Sequence, residues 1–180
     1  MKYTILLVLA AFVFVGGAQT VSAQDAVKFP SIQKSPTDIS YMREGRRGPV
    51  TAKVVYSRPF KKDREIFGSL VPYGKVWRTG ADEATEITFY KDVMFGGQAV
   101  KAGSYAVYTV PNKDSWDVIL NSTLHQWGAF GYDASTNVAK TSAKPQMMAE
   151  AVENFSIAFS GGKMIMAWDK TMVAVPITAK

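Results

Sequence analysis

No cysteine occurs in the 180 residues. This excludes disulfides, thiolate metal sites and thiol nucleophiles, together with the cysteine on which a bacterial lipoprotein carries its lipid. Histidine is nearly as scarce, with His125 alone. Without thiolates beside it, a single imidazole cannot build a three-nitrogen zinc site. As a general base it would need an orienting carboxylate, for which Asp133 and Asp82 are conceivable. Gly-x-Ser-x-Gly, the nucleophile turn of serine hydrolases, does not appear. Paired carboxylates for glycoside hydrolysis could be drawn from Asp82, Glu83, Glu86 and Asp133, but adjacent acids point apart on an extended chain. Neither a metal nor a cofactor is expected, and a catalytic role is expected less than a non-catalytic one.

Long apolar runs are confined to the N-terminus. Lys2 precedes an apolar stretch over residues 5–15, followed by Gly16, Gly17 and the small-residue sequence Val21-Ser22-Ala23. That order predicts a secretory signal peptide over residues 1–23. The apolar stretch is too short for a bilayer, which takes about 20 residues, and no second stretch of membrane length follows. Cleavage would leave an exported chain of about 157 residues, periplasmic or extracellular. A chain of that size buries close to 70% of its unfolded surface, enough for one core.

The charge is uneven. The whole chain carries 21 basic and 15 acidic residues; without Lys2 the net is +5. Between Arg43 and Arg78 ten basic residues face three acidic ones, so the excess sits in one segment. A local positive field favours anionic partners such as acidic glycans, phosphate groups or a membrane surface; a solvated basic loop is the plainer reading. Nucleic acid is not expected as a partner of an exported protein.

Residues 24–49 are polar, punctuated by Pro30, Pro36, Gly45 and Gly48, and read as an extended lead-in with at most one short strand. From residue 50 onward short β segments alternate with turn residues, and a single β domain over residues 50–180 is expected. Segments 51–56, 84–90, 92–95, 98–100, 104–110, 115–121, 154–160, 163–168 and 172–178 carry β-branched and aromatic residues, several with a period of two. Gly96-Gly97 and Gly161-Gly162 supply the positive φ of tight hairpins. Segment 104–110 is apolar on both faces and is expected in a sheet interior, whereas Pro176 suggests an edge for the last strand. The one helix candidate spans residues 145–153, and a helical turn near residues 64–70 is possible. The expectation is an all-β fold, an antiparallel β-sandwich or jelly-roll-like barrel of about eight strands with little helix.

Chemistry-bearing residues concentrate in the long connection between the strands at 51–56 and 84–90. Arg58, Arg64 and Arg78 could hold a carboxylate or phosphate by paired donors. Tyr73 and Trp77 could stack on a sugar ring, and Thr79, Asp82 and Glu83 add polar groups. In the competing reading, Arg78 is buried against Glu83 or Asp82, Trp77 fills the core, and Thr79 and Thr85 close backbone groups of a loop that has to be pinned. A second aromatic and polar loop holds His125, Trp127 and Tyr132, read chiefly as hydrophobic closure of the sandwich end.

The order Tyr56-Ser57-Arg58-Pro59, Ile66-Phe67-Gly68, Leu70-Val71-Pro72-Tyr73-Gly74, Trp77-Arg78-Thr79-Gly80-Ala81, Glu83-Ala84-Thr85, Ala102-Gly103-Ser104-Tyr105, Trp116 with Asn121, and Trp127-Gly128 with Tyr132 resembles the exported bacterial domain-of-unknown-function family DUF2911. The resemblance covers most of the chain from about residue 36. It implies an exported, β-rich domain without an assigned activity. It also implies asparagine where Asp82 stands and glycine where Asp63 precedes Arg64; an Asp82–Arg78 pair would favour scaffolding over an open anion site.

These readings rank a non-catalytic module binding a small polar or anionic ligand, such as a glycan, through Arg58, Tyr73, Trp77, Arg78, Thr79, Asp82, Glu83 and His125. An envelope hydrolase using His125 and a carboxylate, and a structural or protein-docking domain, are the alternatives.

Overall fold

A computed structural model describes residues 27–180; the expected signal peptide lies outside the described residues. Residues 27–31 form no regular element, and Ile32–Lys180 form a compact unit. Ten strands follow in that unit: β1 (Thr37–Arg43), β2 (Val50–Ser57), β3 (Thr85–Phe89), β4 (Val93–Phe95), β5 (Gln98–Val100), β6 (Gly103–Val110), β7 (Trp116–Asn121), β8 (Asn137–Ala143), β9 (Gln146–Ser160) and β10 (Lys163–Ala179). The only helical element among the described residues is a three-residue 3-10 turn, Ala134–Thr136. No helix there is long and apolar enough to cross a membrane.

Two antiparallel sheets result, one in the order β1-β2-β3-β6-β7-β8 and one in the order β5-β4-β10-β9. They form a sandwich-like all-β fold that is not closed into a barrel. Alternation explains the core. Ala52, Val54, Ile87, Phe89, Val107, Val118 and Leu120 point inward from the larger sheet, and Phe95, Phe155, Ile157, Met164, Met166, Val173, Val175 and Ile177 from the smaller. β6 lies between β3 and β7, as its two apolar faces predict. Its outer face carries Ala106 and Tyr108, covered by Leu124, Ala129 and Tyr132 of the 122–133 loop.

Three local readings are corrected. Residues 145–153 are not helical: they open β9, and pairing of Gln146 with Met172 and of Val152 with Asp169 replaces a helix too short to stand on its own. Residues 64–70 form turns rather than a helical turn. Pro176 is not in an edge strand, because β10 runs between β4 and β9. Its ladder with β4 begins at Ile177, after the missing N–H, and the Pro176 carbonyl accepts the Gly96 N–H at 2.8 Å.

β10 is also folded on itself. Ile177 donates its N–H to the carbonyl of Gly162 at 2.7 Å, although 15 residues separate them. An extended run of that length would reach about 50 Å. The chain therefore doubles back. The reversal coincides with Asp169, whose φ of 51° is left-handed and where the register with β9 shifts on both sides. Trp168 is thereby turned into the core.

Candidate cleft at Arg78

The connection from residue 58 to residue 84 folds over one end of the sandwich, and its backbone is tied down along its length. Lys61 donates to the Glu153 carbonyl at 2.7 Å and Phe155 to the Pro59 carbonyl at 3.0 Å. Trp77 and Thr109 exchange both backbone bonds, at 2.7 and 2.9 Å. Further along, Thr85 N–H reaches the Arg78 carbonyl at 3.1 Å, and Gly128 N–H the Asp82 carbonyl at 2.9 Å. Ile66, Val71 and Trp77 of this connection are buried in the main core. Trp77 stacks on Trp168 with ring centres 5.9 Å apart, and Phe67 meets Trp116 edge-on at 4.7 Å. Such pairs add to the burial of large rings, and they make the connection part of the folded body.

Between this connection and the lead-in lies a cleft of about 410 Å³. Lys34, Lys62, Arg64 and Arg78 line it with a single carboxylate, Asp82, and Trp77 and Trp168 contribute to its wall. Arg78 is half-buried. Its side chain makes no hydrogen bond or ion pair with any described residue, and its Nε is buried without a partner. Burial pushes its pKa down from the ordinary value, and the Asp82 charge offsets part of that. Asp82 stands beyond the 4 Å of an ion pair, so the two charges influence each other without being joined. Arg64 is partly spent: its Nε donates to the Lys61 carbonyl at 2.9 Å and an Nη to the Phe60 carbonyl. Lys62 and Asp63 both hold left-handed φ values, 50° and 57°, the conformation in which the glycine implied at position 63 would be at ease.

The remaining sequence candidates disperse. Arg58 uses every guanidinium nitrogen within the fold, donating from Nε to the Phe155 carbonyl at 3.1 Å, from Nη1 to Asp38 at 2.9 Å and from Nη2 to Ser156 Oγ at 2.8 Å. It is a clasp between β1 and β9. Thr79 is fully buried; its hydroxyl donates to Thr109 Oγ1 at 3.2 Å, and its carbonyl accepts the Thr85 hydroxyl at 2.6 Å. Tyr73 faces a separate groove of about 260 Å³ with Phe67, Asn112, Trp116 and Gln146. Glu83 is exposed and bridges to Trp127 through the backbone. Trp77, Arg64, Arg78 and Asp82 are therefore the expected residues that converge, joined by Lys34 and Lys62. The positive segment count included Lys62; Lys34 stands in the polar lead-in and no pattern singled it out.

His125 lines neither cleft. Its side chain is 85% exposed, and its carboxylate neighbour is Glu86, not Asp133 or Asp82: Glu86 Oε1 accepts the His125 N–H at 2.7 Å and lies 3.4 Å from Nδ1. Asp133 instead caps the 3-10 turn, accepting the Ser135 N–H at 2.8 Å. The loop around His125, expected to close the sandwich end, instead covers the outer face of the larger sheet, and Trp127 and Phe130 project from it, 61% and 92% exposed.

The family model described as protein of unknown function (DUF2911) matches residues 37–177. The chain belongs to this family. The match runs from the first residue of β1 to Ile177 near the end of β10, so it takes in both sheets but for the last residues of β10, and the Arg78 cleft but for Lys34 and Ser35. No curated protein and no solved structure matches the chain.

Proposed function

We propose that this DUF2911 protein is an exported, non-catalytic module that binds a small anionic ligand, a carboxylate or phosphate such as an acidic sugar carries, in the Arg78 cleft. The observation that carries the reading is the Arg78 guanidinium, half-buried with no partner among the described residues, in a cleft where four cations meet one carboxylate. A guanidinium whose Nε is buried without a partner is costly, and an anion supplying paired acceptors offsets that cost. The contrast with Arg58, whose donors are all engaged, supports assigning Arg78 to a ligand. Export rests on the N-terminal sequence pattern alone.

Because Trp77 and Trp168 line the cleft, tryptophan emission reports occupancy. Titration with inorganic phosphate and with citrate should change the emission saturably, and Arg78→Gln should weaken binding about tenfold, which corresponds to about 1.4 kcal/mol. Binding that is unchanged in a folded Arg78→Gln protein, or no binding by calorimetry at millimolar anion, overturns the reading.

A further inference from the structure

Resting on the anion reading of the cleft, we propose that its ligand is a zwitterion: an acidic group held by Arg78 and a protonated amine held by Asp82, which makes Asp82 the specificity-determining residue. A site for a simple anion is weakened by a carboxylate on its wall, since like charges repel. Yet Asp82 lines this cleft, and its side chain accepts no hydrogen bond and makes no ion pair with any described residue. The opposite charge four residues earlier is equally unspent. Two free and opposite charges on one cleft wall that do not join each other are complementary to a molecule carrying both signs.

The backbone explains why they stay apart. Thr79 and Asp82 both hold a left-handed φ of 57°, at either end of Gly80-Ala81. Non-glycine residues persist there only where the surroundings over-determine them, and such positions cluster at ligand clamps. Here the Trp77 indole N–H donates to the Gly80 carbonyl at 3.0 Å, the Thr85 hydroxyl to the Thr79 carbonyl at 2.6 Å, and Gly128 N–H to the Asp82 carbonyl at 2.9 Å. The separation of the two charged groups is thus built into a pinned turn, a preorganised pair of the kind that saves ordering cost on binding. A cleft of about 410 Å³ lies in the range of small-molecule sites. Lys34, Lys62 and Arg64 add positive charge to the same cleft, which favours the acidic group of a ligand over its amine, so an amino-sugar phosphate or an amino acid is the class that fits.

The test uses matched pairs that differ only by an amine: glucosamine 6-phosphate against glucose 6-phosphate, and alanine against propionate. Tryptophan emission and calorimetry on the unmodified protein should show the amine-bearing member of at least one pair binding about tenfold more tightly. Asp82→Asn removes the charge while tolerating the left-handed φ. It should abolish that preference and tighten binding of inorganic phosphate. If phosphate or glucose 6-phosphate binds in an Arg78-dependent way but neither pair shows a preference, the zwitterion inference is overturned and the anion reading stands. If no probe binds, both fall. The wild-type comparison decides the matter even if Asp82→Asn fails to fold.

Discussion

Arg58 and Arg78 stand at the two ends of one connection and use the same guanidinium group in opposite ways. Arg58 reaches across from β2 to hold β1 and β9 through three donors. Removing it leaves the Asp38 carboxylate, the Ser156 hydroxyl and the Phe155 carbonyl short of a partner. Arg58→Ala should therefore lower stability by about 1–3 kcal/mol, read from the urea midpoint, with phosphate binding retained. Arg78 holds no described residue by a side-chain hydrogen bond or ion pair, and its burial is a cost in the ligand-free protein that the Asp82 charge offsets only in part. Arg78→Met, similar in reach and without charge, should raise the stability of the unliganded protein by about 1 kcal/mol while weakening anion binding at least as much as Arg78→Gln does. Equal or lower stability would show that Arg78 is satisfied within the fold.

At the scale of elements, the strands obey their alternation, but two turns carry conformations that most side chains resist. β10 reverses at Asp169, left-handed in the midst of a strand. A β-branched residue there is costlier than an acid, and glycine is cheaper. Asp169→Val should cost about 1–2 kcal/mol on the same unfolding measurement, while Asp169→Gly stays close to the parent; its contact with Lys61, at 4.0 Å between two partly buried side chains, is lost in both variants and so does not change that order. The β4–β5 hairpin turns at Gly96 with φ 55°, and a Cβ there would stand 2.3 Å from the Thr141 hydroxyl oxygen of β8. Gly96→Ala should destabilise for two reasons, backbone strain and collision. Because the Thr141 Cβ would itself stand 2.5 Å away, Thr141→Ala leaves a collision, and only Thr141→Gly, combined with Gly96→Ala in a double-mutant cycle, should recover the collision part.

For the whole molecule, pH and salt act through different residues. Asp92 accepts the Ala102 N–H at 2.9 Å and the Lys101 ammonium at 2.8 Å, and the lysine contact is the larger of the two in holding its pKa below the ordinary 3.8. A carboxylate whose folded pKa is depressed contributes stability that is present above its unfolded value and lost as pH falls through the folded one. Asp133, held down by Ser135, acts in the same window. Thermal unfolding followed below about pH 4 should accordingly show a shallower fall in Tm for Asp92→Asn than for the parent. Salt bears instead on the cleft. Lys62, Arg64 and Lys34 are exposed, and their pull on an anion is screened as the Debye length shrinks to about 8 Å at physiological ionic strength. Phosphate affinity should drop as sodium chloride is raised, with the fall smaller in Lys62→Gln.

The all-β class, the strand limits from residue 50 to residue 121, both Gly-Gly hairpins and the interior place of β6 were legible in the linear chain, because period-two alternation and positive-φ glycines are local properties. Membership of DUF2911 was legible too, since the run around Leu70 to Thr85 is a contiguous string. Local pattern misread residues 145–153 as helix, because their pairing partners lie on a distant strand; it did separate segments 163–168 and 172–178, the break in which the reversal at Asp169 falls. The charged cluster followed the same division. Arginine content marked the connection as a candidate site, yet whether a guanidinium is spent or free depends on acceptors far along the chain. Phe155, Ser156 and Asp38 reach the Arg58 guanidinium, and no described residue hydrogen-bonds that of Arg78. Burial and partnership are properties of packing in three dimensions, so they appear only once the connection has folded over the end of the two sheets.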